Sequence, residues 1–134
     1  MGIKQNVEGR KAENEVANLL TSYRYWGLPV QKGPNGQPFD IVACRDNIPW
    51  FLDVKHLESN KNVFNFDRIE PNQKTSMKYA KNFAGNKNLG FVIVLDRESF
   101  KYLFLHYDKF VELEQKGYKS VKLTDLENFE DIIA

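Results

Sequence analysis

Two aspartates and a lysine interrupt an otherwise apolar stretch, FDIVACRDNIPWFLDVKH, at residues 39–56. Asp46-Asn47 divides it and suits a two-residue hairpin turn, because Asp and Asn tolerate the left-handed backbone such turns demand. With that turn Arg45 faces Ile48, and each step outward keeps the register until Asp40 lands opposite Asp53. Side chains alternate between faces, so Asp40, Val42 and Cys44 share a face with Phe51, Asp53 and Lys55. Ile41, Ala43, Leu52 and Val54 take the other face. Opposed carboxylates roughly 5 Å apart at Cβ repel each other. A divalent cation between them would turn that repulsion into ligation, and oxygen ligands suit Mg²⁺ or Mn²⁺. Lys55 would neutralise the site or contact a phosphate. The alternative places both aspartates at solvent-exposed strand ends, with Lys55 as an ion-pair partner.

Several elements must position these residues. Ala12, Val16, Leu19, Leu20 and Tyr23 recur at helical spacing and predict a helix over 8–25, stopped by Gly27. LPVQ, residues 28–31, predicts a short strand, and KGPNGQP, residues 32–38, a loop. After the hairpin, residues 57–67 are mostly polar and read as irregular, with Phe64 and Phe66 embedded in them. Pro71 suits the first position of a helix running to Ala84, with Gly85 and Asn86 as its stop. LGFVIVLD reads as a central strand and FKYLFLH as another. Residues 107–116 predict a helix, and Thr124 with Glu127 form a capping-box pattern for a last short one. The strand bearing Asp53, the second helix and LGFVIVLD make a right-handed crossover between parallel strands. The expected architecture is α/β, a mixed central sheet flanked by helices, in one domain spanning residues 1–134.

The 134 residues fit one core. Apolar residues make up 42% and charged residues 28%, as in a soluble globular protein. Cys44 is the one cysteine, so an internal disulfide is impossible and a cytoplasmic setting is expected. No apolar run has transmembrane length, and no membrane association is expected. Net charge is +1, but it is unevenly spread. Lys61 to Asn88 holds six basic residues against Asp67 and Glu70, whereas Asp108 to Ala134 holds seven acidic residues against four lysines. The basic part suits an anionic partner.

A carboxylate at a strand end followed by Asp-x-Lys on the next strand resembles the PD-(D/E)xK nuclease superfamily. Here it reads Pro38-Phe39-Asp40, then Asp53-Val54-Lys55. Gly9 lies four residues before Glu13 in the first helix, similar to the Gly-x-x-x-Glu of archaeal Holliday junction resolvases. FDRIEPNQKTSMKYA resembles the motif that follows the active-site strand in RecU-type bacterial and phage resolvases, where a glutamine opens the next helix as Gln73 does here. The resemblance covers roughly residues 7–95. It departs in having Asp53 where resolvases often have Glu, and in lacking an identifiable RecU-type insertion.

The resemblance implies a restriction-endonuclease-like core and a metal-dependent endodeoxyribonuclease acting on four-way junctions in recombination and repair, as a homodimer in a bacterial or phage-infected cell. Glu13, Asp40, Asp53 and the Val54 carbonyl would hold Mg²⁺ or Mn²⁺. Lys55 would orient the attacking water or stabilise the transition state, and hydrolysis would leave a 5′-phosphate and a 3′-hydroxyl. Glu15 competes with Glu13 for the helix position. Gln73 shares a helical face with Met77 and Ala80 and would hold a water or bond to backbone carbonyls. Lys74, Lys78 and Lys81 line the other side, either as a solvated face or as phosphate contacts together with Arg10, Lys11, Lys32, Lys61 and Arg68. Phe64 and Phe66 would stack on bases or pack in the core. Another nuclease of the superfamily, specific for repair, restriction-like or single-stranded substrates, and a non-catalytic DNA-binding module are the alternatives. His56 points away from Lys55, and Cys44 has no ligand partners for zinc.

Overall fold

The computed structural model describes residues 3–30, 39–84, 88–96 and 100–134. Lys32, the 32–38 loop and the Gly85-Asn86 stop lie outside the described residues. In chain order the elements are α1 (Ile3–Ser22), β1 (Trp26–Pro29), β2 (Ile41–Arg45), β3 (Ile48–Glu58), β4 (Val63–Asn65), α2 (Pro71–Ala84), β5 (Leu89–Asp96), β6 (Phe100–His106), α3 (Tyr107–Gln115), β7 (Ser120–Lys122), β8 (Glu127–Asn128) and α4 (Phe129–Ile133). Short 3₁₀ turns cover Phe66–Arg68 and Leu123–Asp125.

The hairpin turn is set by backbone chirality. Asp46 and Asn47 both adopt positive φ, 55° and 64°, which matches the twist of the strands they join. The register follows as expected: Arg45 pairs with Ile48 and Ile41 with Leu52. Around this hairpin a six-stranded sheet runs in the order β1-β2-β3-β5-β6-β8. Only the β3–β5 pairing is parallel, reached through β4 and α2; the other pairs are antiparallel. The mixed sheet with flanking helices is the architecture expected.

Each face of the sheet buries its own apolar set. Ala12, Val16 and Leu20 of α1 lie against Ile41, Ala43, Leu52 and Val54, and Phe129 and Ile133 of α4 close the same cluster. On the other face Met77 of α2, Phe110 of α3, and Phe64 and Phe66 cover Phe91, Ile93 and Leu95. β5 is buried from Leu89 to Leu95, which is why it reads as an unbroken apolar run. Phe64 and Phe66 are therefore core residues, and not wedges free to enter a base stack.

Three expectations are corrected. The first helix ends before Gly27, because Arg24 takes the left-handed conformation at φ 68°. Tyr25 N donates to Leu20 O at 2.9 Å and Arg24 N to Thr21 O at 3.0 Å, the two bonds of a Schellman stop with arginine in the place usually held by glycine. Gly27 instead lies in β1, where an added Cβ would come within 3.3 Å of the Ala43 Cβ. The 57–67 stretch is partly ordered: β4 pairs antiparallel with β7, a ribbon that brings Phe64 opposite Val121. At the C-terminus Asn128, not Thr124, caps the last helix by accepting from Glu130 N at 3.2 Å. The Thr124 position is taken up in a 3₁₀ turn.

Gly90 is where β5 tolerates no side chain. A Cβ there would stand 2.4 Å from the Phe104 ring and 2.6 Å from the Leu105 carbonyl oxygen. The Leu105 contact is backbone and cannot turn aside. Gly90→Ala should therefore destabilise the fold by about 3 kcal/mol, the upper range for overpacking. Denaturant unfolding would check this, and a midpoint unchanged from the parent would contradict it.

Candidate active site

The β2 ladder stops at Ile41, and Asp40 sits one residue beyond it in a bend. The register still brings Asp40 beside Asp53. Asp40 N donates to Leu52 O at 3.1 Å and, more weakly, to Asp53 Oδ1 at 3.3 Å. Asp40 Oδ2 in return accepts from Val54 N at 2.7 Å. Each aspartate thus takes a backbone N–H from the other's neighbourhood. Both are buried: Asp40 is 8% exposed and Asp53 1%. The reading with both carboxylates at solvent-exposed strand ends does not hold. Asp53 Oδ2 is buried and has no hydrogen-bond partner.

Glu13 reaches this pair from the third turn of α1. It is half-buried and shares a carboxyl–carboxyl hydrogen bond with Asp40. Glu15 instead lies beside Tyr102, which separates the two glutamates that the sequence left in competition. The three carboxyls resist ionisation. Burial, the Asp40 charge and the shared hydrogen bond push Glu13 up to about 7. Burial and then the Asp40 charge push Asp53 up to about 8, against the pull of Lys55. Asp40 is raised by burial, partly offset by Val54 N–H and Lys55. A hydrogen bond between two carboxyls needs a proton, which is the direction in which the Glu13 shift runs.

Lys55 extends from β3 on the face of Asp53. Burial lowers its pKa, while Asp40, Asp53 and Glu70 hold it charged. Its ammonium donates to Gln73 Oε1 at 2.8 Å. The same oxygen accepts from Glu70 N at 3.1 Å, just before α2 begins at Pro71. Gln73 is the third residue of the helix, so this is the backward half of a capping box. One side-chain oxygen ends α2 and fixes Lys55. Gln73 thus positions the Lys55 ammonium, and its backbone partner is the Glu70 N–H where a carbonyl was expected. Glu70, whose charge reaches both Asp40 and Lys55, was missed by sequence reasoning. The signal was present in Glu70-x-x-Gln73, a cap-like spacing at the helix start.

The basic residues divide. Lys74 pairs with Glu114 at 2.9 Å and lies 5.6 Å from the centre of the Phe110 ring, and Lys81 pairs with Asp108. The α2 stripe is thus partly spent on α3, whose acidic residues face it across the helix pair. Lys78 is exposed, as are Arg10 and Lys11 beside Glu13 and Lys61 after β3. Arg68 donates to His56 O at 2.6 Å and lies over Phe64 at 6.0 Å, so it anchors the end of β3. His56 faces away from Lys55, near Asp96 at 3.8 Å.

The cluster's chemistry fits a divalent cation. Three carboxyls with raised pKa values, one of them with an orphaned oxygen, lack enough positive charge to make burial tolerable. Among the described residues no three carboxylate, histidine or cysteine groups converge as a ready-made ligand set. Glu13 and Asp40 interact closely enough to raise the Glu13 pKa, a repulsion that a cation would relieve. The Val54 carbonyl lies on the same strand edge as its N–H, and hence toward Asp40.

The fold is a mixed sheet flanked by helices, with Asp40 one residue before β2 and Asp53 within β3. The chain is similar to the solved structure of Archaeoglobus fulgidus Hjc, a Holliday junction resolvase from an archaeal hyperthermophile, with a TM-score of 0.66, 14% identity, and coverage of 94% of this chain and 100% of that one. No protein-family model and no curated protein matches the chain. No helix among the described residues is long and apolar enough to cross a membrane.

The raised carboxyls set a pH dependence. Asp53 titrates near 8 in the folded chain against 3.8 as its ordinary value, and Glu13 near 7 against 4.5. Folding therefore favours the protonated forms. That contribution is fully present below about pH 4 and is lost as pH rises through about 7 to 8. Thermal melts in a chelator should show stability falling between about pH 4 and about pH 8. Asp53→Asn should flatten the fall, and a parent protein that gains stability across this window would refute the assignment.

Proposed function

We propose that this chain is a divalent-cation-dependent endodeoxyribonuclease that cuts four-way DNA junctions. The observation that carries the reading is the buried Asp53 Oδ2 without a partner, held beside Asp40 and Glu13 with the Lys55 ammonium on the same face. The likeness in fold to a Holliday junction resolvase supports the substrate class.

Glu13, Asp40, Asp53 and the Val54 carbonyl would hold Mg²⁺ or Mn²⁺, which when bound lowers the pKa of a water and offsets charge on a phosphate. Asp40 sits at the junction of the set, and its bond from Val54 N fixes its carboxyl plane. Lys55 supplies a donor and a positive charge to a phosphoryl oxygen in the transition state. Gln73 holds the ammonium in place before DNA arrives, so little reorganisation is needed. Arg10, Lys11, Lys61 and Lys78 are exposed cations for phosphates, and Arg68 borders them. Lys74 and Lys81 would reach phosphates only by leaving their α3 partners. Lys32, which lies outside the described residues, belongs to the same proposed footprint.

A homodimer places two such sites on one junction and cuts it symmetrically. The cellular setting follows the function: wherever recombining or replicating DNA is resolved, in the cytoplasm of a bacterial or phage-infected cell.

Cleavage with Mg²⁺ of a four-way junction, a linear duplex and a single strand of matched sequence tests the reading. Junction cutting by the parent, lost in Asp53→Asn, is expected. Lys55→Ala should lose at least about a hundredfold in rate, the scale of one transition-state donor, with DNA affinity in Ca²⁺ nearly unchanged. Gln73→Ala should fall between Lys55→Ala and the parent. Near-parental turnover by Lys55→Ala would remove the mechanism, and preference for duplex over junction would remove the substrate assignment.

A further inference from the structure

A cavity of about 470 Å³, which the proposed chemistry does not use, lies against the first turns of α2. It opens between the end of β4, the first turns of α2 and the segment after α3. Lys74, one residue past Gln73, forms part of its wall. Gln73, which holds Lys55, and Lys74 are consecutive, so the site and the cavity flank the same end of α2.

The chemistry of the lining selects among ligands. Asp67 and Glu114 contribute two negative charges, and Lys74 and Lys119 two positive ones. Lys74 and Glu114 already neutralise each other at 2.9 Å. A pocket for phosphate would carry a net positive charge; this one is balanced. Its floor is the apolar edge of Phe66, which is 4% exposed and packed edge-on against Phe110 with ring centroids 5.0 Å apart. Asn65 adds an amide that both donates and accepts. Tyr118, 58% exposed, lies at the rim. An apolar floor, an exposed aromatic ring and balanced polar groups suit a flat, neutral, hydrogen-bonding heterocycle.

Tyr118 is also held in advance. Gly117 takes φ 88°, Gly117 N donates to Glu114 O at 3.0 Å, and Tyr118 N to Leu113 O at 3.0 Å. This closes α3 with a Schellman stop, so the backbone that carries the ring is fixed. Phe66 N donates to Lys119 O at 2.9 Å, which ties the floor to the rim. A large exposed ring on a fixed backbone loses little entropy on stacking.

We infer that this cavity receives an unpaired nucleobase of the bound DNA, stacked on Tyr118 and hydrogen-bonded by Asn65 and Asp67. The inference rests on the nuclease reading for the presence of DNA, and it deepens that reading. The preferred substrate is DNA with a base out of its helix close to the scissile phosphate. Paired duplex offers no such base, because its bases are already stacked and hydrogen-bonded.

Fluorescence anisotropy in Ca²⁺ tests it with three labelled duplexes: fully paired, carrying one unpaired adenosine, and carrying an unpaired abasic residue at that position. The parent should bind the unpaired-adenosine duplex roughly tenfold more tightly than the abasic one, the scale of one base–aromatic stack. Tyr118→Ala should erase that difference and leave fully paired duplex binding unchanged. Tyr118→Phe, which keeps the ring, should retain it and serves as the folding control. Equal affinity of the parent for the adenosine and abasic duplexes would overturn the inference, as would a uniform loss in Tyr118→Ala. Micromolar binding of a free nucleoside, lost in Tyr118→Ala, would assign the cavity to a small molecule and overturn it also. Junction cleavage with Mg²⁺ reads the nuclease proposal separately. Cleavage with no effect at Tyr118 sinks this inference alone, and base discrimination without cleavage sinks the other alone.

Discussion

The mutual embrace of Asp40 and Asp53 is the constraint on which the rest of the structure turns. Two carboxylates brought side by side in a sheet must be separated, solvated or compensated. Here solvation is withdrawn, because β5 and the helices bury them. Compensation comes from backbone N–H groups of the same hairpin, from a proton shared with Glu13, and from the ammonium of Lys55. Each source sits on a different element. The Asp46-Asn47 turn sets the register, α1 brings Glu13, and the first turn of α2 steadies Lys55 through Gln73. Loss of any one of them leaves charge buried without an answer.

Much of this was legible because strand pairing is arithmetic. A two-residue turn and a period of two fix which residues oppose one another, so the Asp40–Asp53 pairing and the shared face with Lys55 follow from spacing alone. The apolar stripe of α1 and the unbroken run of β5 were legible for the same kind of reason. Features that depend on three-dimensional neighbours were not. Nothing in the sequence marks Arg24 as the residue that turns left-handed, since glycine is the usual signal and Gly27 stood close by. The basic stripe on α2 reads as a free face until α3 is packed beside it, when Glu114 and Asp108 claim two of its lysines. The β4–β7 ribbon joins segments far apart in the chain, and neither strand is long enough to announce itself. Glu13 and Glu15 lie on opposite flanks of one apolar stripe, and only the position of Tyr102 against that of Asp40 separates them.

Gln73 shows how a structural requirement and a chemical one come to share an atom. Helix α2 needs an acceptor for the N–H of Glu70, and the site needs an acceptor for the Lys55 ammonium. A single amide oxygen has lone pairs for both. The arrangement ties the position of the Lys55 ammonium to the start of α2, and so to the order of secondary structure. The ion pairs that bind α2 to α3 reinforce the same element from its other side.

The parallel pairing of β3 with β5 has a consequence for the order in which the carboxylate cluster is assembled. The hairpin that carries both aspartates is local and closes quickly, but Asp53 is flanked by Phe91 only after the chain has crossed over through β4 and α2. On a ribosome that partner emerges well after the hairpin. Until then the two carboxylates lack the cover of β5, and Lys55 lacks its Gln73 partner until α2 has formed. The carboxylate cluster therefore closes only after the crossover, once β5 has paired with β3.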